Sequence, residues 1–334
     1  MFDVVLVLVV TAHLMAVAWA VAGPFVGMWL AWRQRLCDDT AAAVAGKYVL
    51  GLSLVALAAA IVLGLAALGL LWWQFRHPYF DAAAQVPPRR YGFGLVELMF
   101  SLVCLSAAWK WSPPVGAAEG AARFWTRWSL VLLAATNLTY HFPPLFTVIG
   151  VYCTRPQRWG DPLPFTTMLV DPEVIARTIH YLLAAFAVTG ATLATVTRPF
   201  VHAGLPDAAR GRVAAWGGRI ALAAVVGQLL SGTYLLVEMP AASRELLLGG
   251  DSIATAAFAA SLLATIALLH SLAAVSLGDS DRRRLRAAVC LVALVMFLMV
   301  ATRHRTRNQW LSEGEGIGNR GQVTVGGGRR PTNP

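Results

Sequence analysis

Residues Val4–Trp32 read VVLVLVVTAHLMAVAWAVAGPFVGMWLAW, a run with no Asp, Glu, Lys or Arg in it. About 20 apolar residues in helical form cross the ~30 Å hydrocarbon core of a bilayer, so this stretch alone fixes the solvent as lipid. The same pattern recurs outward along the chain. Apolar runs bounded by charge or by Pro/Gly clusters fall at 4–32, 48–73, 92–111, 124–151, 174–196, 213–237, 253–277 and 285–302. Lipid offers the backbone no hydrogen-bond partner, so runs of this length predict helices. The expectation is an all-α integral membrane protein of about eight transmembrane helices within residues 1–312. The composition agrees: of 334 residues 57% are hydrophobic and 13% charged, with mean hydropathy +0.62. The first run begins without a basic leader segment and reads as a retained helix. The Gly-rich stretch Glu313–Pro334 reads as an extended extracytoplasmic tail or one held by a partner.

A net charge of +10 raises nucleic acid as a partner, but the Lys and Arg residues stand between apolar runs and form no basic domain. Topology accounts for them better. With the N-terminus outside, fourteen Lys and Arg lie toward the inner side, the Arg282–Arg286 run among them, against seven toward the outer side before the tail. The positive-inside rule then places both termini outside the cytoplasm. Cys37, Cys104, Cys153 and Cys290 form no CxxC or CxxCH pair, which excludes a disulfide framework and covalent c-type haem attachment. All four are expected to be ordinary buried thiols.

Ionisable groups at membrane depth are costly unless paired or ligated, so each one marks a candidate site. His13 lies about nine residues into helix 1, roughly 13 Å deep at 1.5 Å per residue. Glu97 lies one turn or so into helix 3, His141 in the outer half of helix 4, His180 near the outer start of helix 5 and His304 at the end of helix 8. On this topology four histidines and a carboxylate share one leaflet. A neutral imidazole is a ready axial ligand for haem iron, and a helix bundle supplies an apolar slot for a porphyrin. Ala12, Ala16, Ala20 and Gly23 leave room for a macrocycle, or equally permit close helix packing. Arg177, Arg303, Arg305 and Arg307 fall at the outer interface, where haem propionates would meet them. His141, four residues after Asn137 and just before Pro143–Pro144, has a ligand reading and a structural one. His77 and His202 fall in loops and His270 near the inner end of helix 7, away from the cluster. A proton relay or transporter would also bury His and Glu, but no internal repeat appears, and no HxxxH or ExxH pair lies inside a span.

These residues resemble a known family. Over helices 1 to 8 the chain is similar to subunit I of cytochrome bd, the membrane quinol oxidase. The most specific stretch is FTTMLVDPEVIARTIHYLLAAFAVTGA, Phe165–Ala191, which resembles the family pattern LxNPxxxxxFxHxxxxxxxTGA. The resemblance implies that His180 binds a low-spin b haem. AATNLTY, Ala134–Tyr140, looks like the family's GSNLSA, and FGLVELMF, Phe93–Phe100, looks like its third helix, which implies that Glu97 lies beside high-spin haem. His13 matches the first-helix histidine that ligates iron at the high-spin site. TRNQW, Thr306–Trp310, resembles GRQPW, and His304 stands where the family has an iron-ligating glutamate.

The departures redirect the expected function. The Glu238–Ser252 loop is short where the oxidase carries its quinol-binding segment, which weighs against quinol as donor. Ile253–Leu262 contains no methionine to act as second ligand of the low-spin haem, and Met239 is the nearest substitute. Leu105 replaces the family's second glutamate in helix 3, and the family's ninth helix has no counterpart. The resemblance therefore implies two four-helix bundles in the bacterial inner membrane, holding b haem in two or more copies, with nothing pointing to haem d. The expected work is electron transfer with other membrane subunits and an extracytoplasmic partner such as a c-type cytochrome. The alternatives are a terminal reductase of oxygen or nitric oxide, or a haem-free structural subunit or transporter.

Overall fold

A computed structural model describes residues 2–74, 77–114, 117, 119–155, 164–196 and 198–323. The helices are α1 (Phe2–Cys37), α2 (Thr40–Trp73), α3 (His77–Ala84), α4 (Pro88–Lys110), α5 (Ala121–Tyr140), α6 (Phe142–Tyr152) and α7 (Phe165–Leu169). They continue as α8 (Pro172–Thr195), α9 (Arg198–His202), α10 (Asp207–Glu238), α11 (Ala241–Glu245), α12 (Ser252–Ser276) and α13 (Arg282–Val323), with a π turn at Leu246–Gly250 before α12. Among the described residues there is no strand.

Among the described residues, seven helices are long and apolar enough to cross a membrane: α1, α2, α4, α8, α10, α12 and the Arg282–Asn308 part of α13. The chain is a helical integral membrane protein. The stretch 124–151, expected as one span, is two helices that meet at His141 (φ −93, ψ −60). Pro143 and Pro144 have no N–H to give to the ladder, and their rings crowd the preceding turn, so the helix breaks where they begin. Beyond its apolar span, α13 continues to Val323. Extending an existing helix needs no new nucleus, which lets the ladder run on into a glycine-rich sequence. Residues 324–334 lie outside the described residues.

Local chemistry sets the turns. Asp38 takes a left-handed conformation (φ 48), and Asp39 caps α2 by accepting from the Ala41 and Ala42 amides at 3.0 and 3.4 Å. Two residues thus turn the chain from α1 straight into α2. Asp171 and Asp251 cap α8 and α12 in the same way, through the Glu173 and Ala254 amides. Each cap satisfies donors that a helix start otherwise leaves orphaned.

Packing between helices rests on small residues. A Cβ added at Gly190 would lie 2.6 Å from both Ala221 N and Gly217 O, and one at Gly217 would lie 2.5 Å from Gly190 O and 2.6 Å from Ala194 N. Helices α8 and α10 therefore touch backbone to backbone, the mode of association that lipid favours. One core joins α1, α2, α4 and α5 around Leu30, Leu50, Leu105 and Val131. A second joins α1, α8, α10, α12 and α13 around Ala22, Ala185, Ala221, Leu272 and Val292. A third cluster packs α3, α6, α7 and the start of α8 around Val86, Ile149, Phe165 and Val174. Val62, Leu65, Val96, Leu230 and Leu263 are each more than 60% exposed, as residues facing acyl chains are. Cys104 and Cys153 are buried as expected, but Cys37 and Cys290 are exposed. Cys37 ends α1 beside the polar turn, and Cys290 lies on α13.

Candidate functional site

The predicted residues divide by what their ring nitrogens do. His13, on α1, has Nδ1 2.9 Å from the Ala60 carbonyl of α2. A carbonyl only accepts, so Nδ1 carries the proton and the lone pair is on Nε2. The ring rests on Gly64, where a Cβ would come within 2.9 Å of Cε1. His180, on α8, repeats the arrangement. Its Nδ1 is 3.1 Å from Ser231 Oγ of α10, and that hydroxyl already donates to the Gln228 carbonyl at 3.3 Å. With the Ser231 proton on Gln228, Ser231 accepts from Nδ1–H and the lone pair falls on Nε2. Here the glycine beneath the ring is Gly232, whose added Cβ would meet Cε1 at 3.3 Å. The Nε2 of His13 has no hydrogen-bond partner among the described residues, and the His180 ring also comes within reach of the Gln228 carbonyl. A ring fixed through one N–H, with its other nitrogen open, is the usual state of a metal-ligating histidine.

His141 and His304 are placed differently. His141 Nδ1 lies 2.9 Å from Glu97 Oε2, outside good hydrogen-bond alignment, and Nε2 lies 3.0 Å from the Arg90 carbonyl. Both nitrogens face oxygen acceptors, which satisfies the structural reading of this residue. Glu97 is thus paired across to the broken α5–α6 junction. His304 Nε2 lies 3.0 Å from Asp3 Oδ1 and 3.0 Å from Asn308 Nδ2, while Nδ1 meets Arg307 at 3.4 Å. Met239 is the C-cap of α10, eight residues beyond Ser231 and so ~12 Å further along the axis than the point His180 touches.

Arginines gather around the start of α8. Glu173, 2% exposed, takes Arg155 at 2.5 Å and Arg177 at 2.5 Å, and Arg155 also holds Asp171 at 2.6 Å. The Arg303 side chain passes over Gly150 of α6. Burial pushes the Tyr79 hydroxyl up to about 12 and raises the Cys153 thiol, against the opposing pull of Arg303 and Arg307 on both. Both groups stay protonated at neutral pH. Thr178 and Tyr181 on α8, and Thr302 on α13, bury hydroxyls without a partner, as does the Trp19 indole on α1. Such orphaned groups are rare in a finished core and lie one turn or less from His180 in the case of Thr178 and Tyr181.

Sequence reasoning named the histidines but not the partners that fix them. Ala60 is an unremarkable alanine, and Ser231–Gly232, a polar–small pair inside an apolar span, was the one legible signal. Arg155 is one of the seven cations counted toward the outer side, and nothing in its spacing marks its pairing with Glu173. Among the described residues no three His, Cys, Asp or Glu side chains converge as a protein-only metal site. His13 and His180 each stand singly, the arrangement an axial ligand needs when a macrocycle supplies the other donors. Comparison with protein-family models and with curated proteins gives no match.

Proposed function

We propose that the chain is a cytochrome bd-like membrane haem protein, with eight spans in two four-helix bundles, that transfers electrons in a bacterial inner-membrane complex. The observation that carries this reading is the seating of His13 and His180: each sets its Nδ1 against an oxygen on a neighbouring helix, which leaves Nε2 as the nitrogen to meet a ligand. Haem b, when bound, supplies a one-electron iron couple. His13 and His180 would hold the irons, and the Ala60 carbonyl and Ser231 hydroxyl would fix their rings and raise their basicity. His304 and His141, engaged through both nitrogens, stand outside this set. Arg303 and Arg307, with Arg177, would meet the propionates, since Glu173 and Asp171 balance only part of the local positive charge.

The broken α5–α6 pair counts as the eighth crossing, which returns the chain to the side it started from. The bundles follow the two larger cores, α1, α2, α4 and α5 in one and α8, α10, α12 and α13 in the other. Placing haem at the outer ends fits an extracytoplasmic partner such as a c-type cytochrome, and the short α10–α12 connection weighs against quinol as the donor. The test is a reduced-minus-oxidised spectrum of the purified protein with haem quantification. Stoichiometric b haem is expected, with His13→Ala and His180→Ala each removing a separate signal. Absence of haem, or spectra unchanged in both variants, overturns the reading. A shift on adding carbon monoxide would move the function from electron carrier to gas reductase.

A further inference from the structure

The end of the molecule that carries the arginine-rich turns holds a second feature, independent of haem. The start of α10 and the end of α12 enclose an open cleft of about 540 Å³, lined by Arg212, Arg219, Gly211, Leu277, Gly278 and Ser280 among others. Gly218 lets the two helices meet, since a Cβ there would lie 2.8 Å from Val275 Cγ1 and 2.9 Å from Ser276 N. Arg219 Nε donates to the Ser276 carbonyl at 3.0 Å, which closes the last turn of α12 and holds the guanidinium at the cleft wall. Its terminal nitrogens have no partner among the described residues. Arg212 reaches Asp39 only at 3.6 Å and is 54% exposed. Asp207, the acid of the cleft, is ion-paired with Arg210. The lining thus presents two cations with little to neutralise them.

Depth specifies the ligand. α10 has 32 residues, ~48 Å of helix, against ~30 Å of hydrocarbon. The stretch from Arg219 to Glu238 covers about 30 Å by itself, so Arg219 stands at the level of the headgroups. Directly along α10 from it, Val226, Leu229, Leu230, Tyr234 and Val237 form an exposed apolar stripe at helical spacing, and Leu277 is 88% exposed at the cleft mouth. Cations at headgroup depth beside an exposed apolar stripe match one kind of molecule. We propose that this cleft binds an anionic phospholipid, with its phosphate between Arg212 and Arg219 and its chains along the α10 stripe.

The experiment uses the full chain, purified in detergent and stripped of lipid, with the thermal unfolding midpoint read as phosphatidylglycerol is added. Phosphatidylglycerol is expected to raise the midpoint by a few degrees. Phosphatidylcholine of the same chain length and inorganic phosphate are expected to leave it in place. Arg212→Gln is expected to cut the rise by at least half and Arg212→Gln with Arg219→Gln to abolish it, while Arg283→Gln, an exposed arginine at the same end, retains it. If the double variant does not fold, Arg212→Gln alone carries the test. An equal rise with phosphatidylcholine or with inorganic phosphate, an undiminished rise in Arg212→Gln, or an equal loss in Arg283→Gln overturns the proposal.

Discussion

A neutral imidazole has one lone pair, and the acceptor that takes its N–H decides on which nitrogen that pair sits. At His13 and His180 the choice is made by Ala60 and Ser231, and glycines beneath the rings let them lie flat enough to reach these acceptors. Gly64→Ala should therefore disturb the proposed iron ligation at His13 without replacing the histidine itself. Its Cβ would come within 2.9 Å of Cε1 and 3.2 Å of Nδ1, so the ring must leave Ala60. The His13-dependent haem signal is expected to shift or vanish in Gly64→Ala and to persist in Gly69→Ala, where a Cβ meets nothing within 4 Å. A spectrum unaltered in Gly64→Ala would remove the seat from the account. This level was half legible in the sequence. The histidines announce themselves because an ionisable group inside an apolar run is costly, whereas a carbonyl acceptor leaves no trace, since every residue has one. His304 shows the converse: a motif-like position whose ring is occupied by Asp3, some 300 residues away, and so invisible to local reading.

Long helices were predictable because each span is longer than any alternative structure lipid permits. The short helices α3, α7, α9 and α11 were not, since a five- to eight-residue helix is held by its neighbours rather than by its own propensity. α3 is a case in point: Ala82, with Val86 just beyond it, is buried against residues of α6 and α8 that lie far off in sequence. The break at His141 was foreshadowed by Pro143–Pro144, yet hydropathy alone ran through it. The α8–α10 seam makes the sharpest element-scale prediction. Gly217→Ala places a methyl against backbone atoms at 2.5 and 2.6 Å, which no rotamer can relieve. A loss of about 3 kcal/mol is expected from such overpacking. Gly211→Ala on the same helix, with nothing within 4 Å, should be neutral or mildly stabilising. Thermal unfolding of the two variants in one detergent checks the pair, and equal midpoints would mean that the helices can separate freely.

At the scale of the whole molecule, sidedness is the quantity to measure. The arginine-rich turns and Cys37 share one end, while Cys153 lies toward the other, buried and with its thiol held protonated. In right-side-out vesicles an impermeant maleimide is expected to leave Cys37 unlabelled until the membrane is opened, with Cys37→Ser as the blank. Labelling of intact vesicles at Cys37 would invert the topology and move the proposed haems to the inner face. The contact between Asp3 on α1 and His304 on α13, 3.0 Å apart, bears on how the protein is built rather than on what it does. α1 and α13 stand some 300 residues apart in the chain, so this contact closes only once both are in place. It ties the first and last described helices to each other, so it belongs to the assembled bundle and to no shorter piece of it.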